Sequence, residues 1–158
     1  SITSDHSQTE TIAISSFIKQ NLSFINEAYD GLNDKILIEA KEPLHLCLNP
    51  TALLQVISIL IDNIFQHAYS SHEFQRGIIK IRRLDEKVEI QIRDFGKGIK
   101  PEQEPLLFKP FFENFTGAFQ TGLGLQIAMN LVKTQLDGNL YFSRPDKGAN
   151  FILELPHR

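Results

Sequence analysis

Cysteine occurs once in this chain, at Cys47. An internal disulfide framework is therefore excluded, and a reducing compartment is the simplest setting. Leu46 and Leu48 flank it, the setting of a structural thiol in a strand. A basic excess is also missing: 16 Lys and Arg stand against 19 Asp and Glu, for a net charge of -3. That balance argues against a nucleic-acid surface. No apolar run is long enough to span a bilayer and no signal peptide is evident, so the expectation is a cytoplasmic domain. Neither the lysine-bearing phosphate loop nor the spacing of a dinucleotide fingerprint is present, and no Cys/His cluster offers a metal site. Repeats, low-complexity tracts and internal linkers are absent too. The 158 residues suffice for one domain with a real core: a loose polar segment over 1–9, then a single folded unit over 10–158.

What is present is a dense alternation of periodic segments. Ile12 and Ile14 suggest a short edge strand, with Ser15 as N-cap of a helix running towards Gly31. Ile36 to Ala40 and Leu44 to Leu48 read as strands, joined as a hairpin across Lys41-Glu42-Pro43. Asn49 and Pro50 open a long helix reaching about Ser70, as N-cap and first-turn proline. Its apolar residues wrap most of the circumference, so it must be nearly enclosed; the polar Asn63 and His67 on it then call for a reason. Strands at Gly77 to Arg83 and Val88 to Arg93 turn at Asp85-Glu86. A long phenylalanine-bearing loop spans Asp94 to Gly122, and loops of that length inside a domain are usually functional. A helix from Leu123 to Leu136 and a hairpin of Leu140 to Ser143 with Asn150 to Leu155 complete the chain. The order predicts an α+β fold, a two-layer sandwich with helices on one face of a mixed, mostly antiparallel sheet.

Three features carry chemistry. Asp94-Phe95-Gly96-Lys97-Gly98 puts a carboxylate at a strand end, followed by glycines that let backbone approach a ligand closely. A carboxylate only accepts hydrogen bonds, which suits an exocyclic amine such as that of adenine; read alone, a plain glycine turn explains the pentapeptide better. Thr121-Gly122-Leu123-Gly124-Leu125 opens a helix whose exposed N–H groups and dipole favour an anion, although glycines at helix starts are common. Asn63 lies at i+4 from Ile59 and is followed at i+4 by His67, with Gln66 beside it. An amide oxygen there can ligate magnesium, and a satisfied core asparagine is the plainer reading of the residue by itself.

Taken together and in order, these features resemble the GHKL superfamily, and most closely the ATP-binding catalytic domain of bacterial sensor histidine kinases. An asparagine box matches Leu54 to His67, a first glycine box Asp94 to Gly98, a phenylalanine box Leu107 to Phe112 and a second glycine box Thr121 to Leu125. The resemblance covers roughly Glu10 to Pro156. It implies a Bergerat-type pocket for ATP and Mg2+. Asp94 would bind the adenine amino group, while Gly96, Gly98 and Ile99 shape the floor. Asn63 would hold the metal, with Gln66 and His67 at the phosphates; Asn63 and His67 are the candidate catalytic residues. Thr121, Gly122, Leu123, Gly124 and Leu125 would form the phosphate-side helix start. Phe108, Phe111 and Phe112 would root a short lid over Glu113 to Gln120.

The resemblance also implies partners: a dimerisation and histidine phosphotransfer domain of the same parent protein, and a response regulator. The parent would be a homodimer, either soluble or held at the inner membrane, and the isolated domain a monomer. The acceptor histidine lies outside this chain; His72-Glu73 lacks the basic residue and proline expected after an acceptor. Ile59 is the main departure, standing where the family usually has asparagine or glutamate. Isoleucine cannot act as a base, which argues against a water-activating ATPase of the gyrase or heat-shock chaperone type. A histidine acceptor brings its own nucleophile, and phosphoryl transfer depends chiefly on positioning. Gln66 replaces a common lysine, Ile64 a small alanine and Gln120 a glycine. Two other classes share these features: a serine kinase of the anti-sigma type, and a nucleotide-binding or docking module without catalysis.

Overall fold

In the computed structural model, residues 8–26, 36–67, 76–96, 98–109 and 124–157 are described, without the side chains of 23–26 and 64–67. The elements run β1 (Glu10–Ala13), α1 (Ile14–Asn26), β2 (Ile36–Ala40), β3 (His45–Leu48), α2 (Pro50–His67), β4 (Gly77–Leu84) and β5 (Lys87–Asp94). A 3-10 turn (Pro101–Leu106), α3 (Gly124–Gln135), β6 (Asn139–Ser143) and β7 (Asn150–Pro156) follow. Five strands form the main sheet in the order β2-β4-β5-β7-β6. The β2–β4 ladder is parallel and the other three are antiparallel. The expected mixed, mostly antiparallel sheet is therefore present. No helix among the described residues is long and apolar enough to cross a membrane.

Alternation along the strands decides which face is covered. On β5, Val88, Ile90 and Ile92 are at most 2% exposed. Their neighbours Ile79 and Ile81 on β4 and Phe151, Leu153 and Leu155 on β7 join them in one core. Helix α2 closes that face with Leu53, Val56, Ile57, Leu60 and Ile61, each fully buried. A side chain of this size contributes about 1.5–3 kcal/mol when removed from water, so enclosure of α2 dominates the sandwich. Helix α3 packs on α2 and on β6. Its end is set by Asp137, with a positive φ of 53°, and by Gly138, whose N–H donates to the Val132 carbonyl at 3.0 Å.

The start of α2 follows the sequence closely. The Asn49 side-chain oxygen accepts the Ala52 N–H at 3.1 Å, and Pro50 occupies the first turn, where its missing N–H is harmless. Residues 68–70, expected to extend the helix, lie outside the described residues.

Three local expectations need correction. Ser15 is not an N-cap, because α1 already begins at Ile14. There the Ile14 N–H donates to the Leu44 carbonyl at 3.0 Å, so the preceding strand ladder runs straight into the helix. The hairpin across 41–43 does not form either. β2 pairs in parallel with β4, and β3 pairs with β1 in a separate two-stranded sheet. A short link suggested a hairpin, but each strand buries its apolar residues best beside a different neighbour. Cys47, finally, is exposed: it alternates with the buried Leu46 and Leu48 and faces away from the core.

Replacing Asn49 with alanine removes the cap from a buried helix start. Urea unfolding of Asn49→Ala should show a loss of about 0.5–2 kcal/mol, with Asn49→Ser retaining most of the wild-type value.

Candidate functional site

Asp94 ends β5, on the same covered face as Val88, Ile90 and Ile92, and is only 1% exposed. An apolar stripe thus finishes in a buried carboxyl. Its Oδ1 accepts the Gly96 N–H at 2.8 Å, and its own N–H donates to the Ala149 carbonyl at 3.0 Å. Burial pushes the Asp94 pKa above the ordinary value of 3.8, opposed by hydrogen bonds from the Gly96 and Ala149 backbone and by the charge of Arg93. A carboxyl held this way is primed for a hydrogen-bond donor that arrives with a ligand.

Two glycines with positive φ crowd against it. Gly98 has φ +76° and Gly148 φ +83°. A Cβ on Gly148 would sit 2.1 Å from the Asp94 carbonyl oxygen and 2.8 Å from its Oδ1. A Cβ on Gly98 would sit 2.7 Å from the Gly148 carbonyl oxygen. The end of β5, the loop at 98–99 and the β6–β7 connection therefore meet with no room for side chains. Gly148 and Ala149 were not singled out in the sequence. Asp146-Lys147-Gly148 looks like ordinary turn chemistry, and only the register of β7 on β5, which sets Asn150 opposite Arg93, brings it to Asp94.

The neighbouring Phe95 is flanked by two guanidinium groups, Arg93 at 4.6 Å and Arg76 at 5.6 Å from the ring centroid. Ile99 packs against the core. Gln103 is buried and accepts the Lys100 N–H at 3.1 Å, which shapes the loop leading to the 3-10 turn. Phe108 then meets Phe151 edge-on at 6.3 Å, a favoured aromatic arrangement that joins the end of the loop to the core.

A second group of residues lies where α2 meets α3. Asn63 is half-buried near the end of α2, one helical turn beyond Ile59. A Cβ on Gly124, the first residue of α3, would lie 3.6 Å from Ile59 Cγ2. Ile59 thus covers the start of α3, and Leu125 beside it is buried in the core. Both groups occupy the face of the sheet that α2 covers, since α2 packs on β5 and α3 on α2. Among the described residues Asp94, Gly96, Gly98 and Ile99 come together at one end, while Asn63 stands on α2 and Gly124 and Leu125 at the start of α3, on two helices that pack against each other. Lys97, Phe111, Phe112, the segment 113–120, Thr121, Gly122 and Leu123 lie outside the described residues, as do the side chains of Gln66 and His67. Among the described residues no cluster of three or more His, Cys, Asp or Glu could hold a metal ion.

Two outcomes test this geometry. Gly148→Ala introduces a strained left-handed alanine and a clash with Asp94. Its unfolding free energy should fall by at least about 2 kcal/mol, read by urea titration. Asp94 also carries a pH signature. A carboxyl whose folded pKa is raised favours the folded state below its unfolded pKa, and that contribution is lost as pH rises through the folded pKa. As pH rises above about 4, wild-type stability should therefore decline relative to Asp94→Asn; parallel stability curves for the two proteins would contradict the buried carboxyl.

Comparison with known proteins identifies the family and the fold. Residues 48–158 match the family described as histidine kinase-, DNA gyrase B- and HSP90-like ATPase. The sensor histidine kinase RcsC of Salmonella typhimurium is 36% identical over 124 residues, covering 75% of this chain and 13% of that protein. The chain thus spans about an eighth of the length of that relative. Among solved structures, the mycobacterial sensor histidine kinase MprB superposes with a TM-score of 0.75 at 22% identity, covering 95% of this chain and 98% of that one. Full-length ShkA in complex with AMPPNP gives a TM-score of 0.76 at 19% identity, covering 94% of this chain and 31% of that one. The mixed, mostly antiparallel five-stranded sheet and the helical layer above it fit this match, and the chain belongs to the histidine kinase-, DNA gyrase B- and HSP90-like ATPase family.

Proposed function

We propose that this chain is the ATP-binding catalytic domain of a sensor histidine kinase. It delivers the γ-phosphoryl group of ATP to a histidine on a separate dimerisation domain, which then passes it to a response regulator. The observation that carries the reading is the nearly inaccessible Asp94 carboxyl, aligned by the Gly96 N–H at the end of β5. Such a group gains most from a donor that arrives in a dry pocket, and the exocyclic amine of adenine is a donor of that kind. The resemblance to sensor kinases such as RcsC, and to ShkA solved with the ATP analogue AMPPNP, supports the same choice.

Each residue then has a task. Asp94 accepts the adenine amine, while Gly96, Gly98 and Ile99, joined by Gly148, form the surface under the ring. Phe108 and Phe111 root the lid. The backbone of Thr121, Gly122, Leu123 and Gly124, with Leu125 behind it, offers N–H groups to the phosphates at the positive end of α3. Asn63, half-buried near the end of α2 with an amide oxygen that suits a hard cation, would hold magnesium; the ion would supply charge to offset the phosphates. Gln66 and His67 complete the phosphate end. Ile59 provides neither proton acceptor nor ligand, which suits transfer to a protein histidine better than attack by water.

Calorimetric titration with ATP tests the reading. Wild-type protein should bind ATP, and bind it more tightly with magnesium present. Asp94→Asn should weaken binding by about 10-fold or more, the expected loss of a buried hydrogen bond to a charged acceptor. Asn63→Ala should still bind ATP but lose the magnesium effect. Wild-type protein that binds no ATP, or binds it with no regard to magnesium, would overturn the assignment.

A further inference from the structure

Arg144 directly follows β6 and reaches across to a loop 45 residues earlier in the chain. Its Nη1 donates to the Ile99 carbonyl at 2.7 Å. Its Nη2 forms an ion pair with Glu104 Oε1, also at 2.7 Å. The guanidinium lies 5.9 Å from the centre of the Phe142 ring, and Phe142 packs on Phe151 at 5.5 Å. One side chain thus ties together an edge strand of the sheet, the loop carrying Gly98 and Ile99, and the 3-10 turn. The guanidinium combines one hydrogen bond, to Ile99, with a charge contact to Glu104, a pairing that a lysine ammonium on its flexible stem does not match.

The position of this clasp gives it a consequence beyond stability. Arg144 begins the β6–β7 connection that contains Gly148, and Ile99 directly follows Gly98. Those two glycines touch each other, and Gly148 touches Asp94. The clasp therefore closes, from the outer side, the ring of backbone that lines the carboxyl. Its side chains remain about 40% exposed, and exposed ion pairs contribute little to global stability. The restraint acts on the spacing between loop and connection, more than on the sheet.

We infer that Arg144 is a positioning residue for base recognition: through Ile99 and Glu104 it fixes the loop at 98–104 against the Gly148 connection, and so holds the space beside Asp94 to the width and hydrogen-bonding pattern of adenine. This rests on the nucleotide-binding reading above. It concerns a residue that touches neither nucleotide nor metal, so its effect falls on selectivity.

The test compares ATP and GTP dissociation constants for wild type, Arg144→Ala, Arg144→Lys and Glu104→Gln, with melting temperatures measured alongside. Wild type should prefer ATP. Arg144→Ala should reduce the ATP-over-GTP preference by about fivefold or more, the equivalent of one net hydrogen bond, while its melting temperature stays within about 3 °C of wild type. Arg144→Lys should recover only part of the preference, and Glu104→Gln should fall between wild type and Arg144→Ala. A wild-type ratio retained in Arg144→Ala, with or without a lower melting temperature, overturns the positioning role and leaves the nucleotide site standing. Wild type that binds neither nucleotide overturns the nucleotide reading and this inference with it. Should Arg144→Ala fail to fold, Glu104→Gln decides the matter: an unchanged ratio there is fatal to the proposal.

Discussion

A carboxyl group buried at the end of an apolar strand face is the constraint around which the rest of this domain is arranged. Burial penalises the charge of Asp94, and among the described residues the Gly96 and Ala149 backbone with the nearby Arg93 offset it. Those backbone groups must come close, which requires positive φ at Gly98 and Gly148 and forbids a side chain at either. The approach of the β6–β7 connection in turn requires β7 to lie beside β5. The core over β5 is closed by α2 through Leu53, Val56, Ile57, Leu60 and Ile61, and Asn63 stands near the end of the same helix. A single polar atom group therefore dictates sheet order, loop conformation and the composition of a helix.

The helical layer reflects a different compromise. Ile59 fills the contact between α2 and the first residue of α3, so the two helices are joined there by van der Waals packing. Packing of that kind excludes water from the junction. The same residue that removes a candidate base also fixes the spacing of the two helices that carry the proposed metal and phosphate contacts.

Much of this was legible in the chain. The enclosed helix α2, its Asn49 cap and Pro50 start, the β4–β5 turn at Asp85 and the β6–β7 hairpin all follow from local periodicity and turn chemistry, because local energetics and tertiary packing agree there. Asp94, Gly96 and Gly98 stood out because a carboxylate followed by two glycines breaks a strand pattern. The partners of β2 and β3 were not legible. A three-residue link containing Pro43 satisfies the length rule for a hairpin, whereas the observed pairing depends on burial against distant strands. Gly148 and Arg144 were hidden for the same reason. Their neighbours in sequence are those of a common turn, and their neighbours in space come from 40 to 54 residues away.

The order β2-β4-β5-β7-β6 places the seventh strand inside the sheet and leaves the sixth at its rim. During synthesis, β6 has no ladder to join until β7 has left the ribosome, and Asp94 has no wall on that side. The surroundings of Asp94 therefore cannot be assembled strand by strand in chain order. They form in one late event, and a chain interrupted before Asn150 would leave the β5 edge open to pairing with other strands.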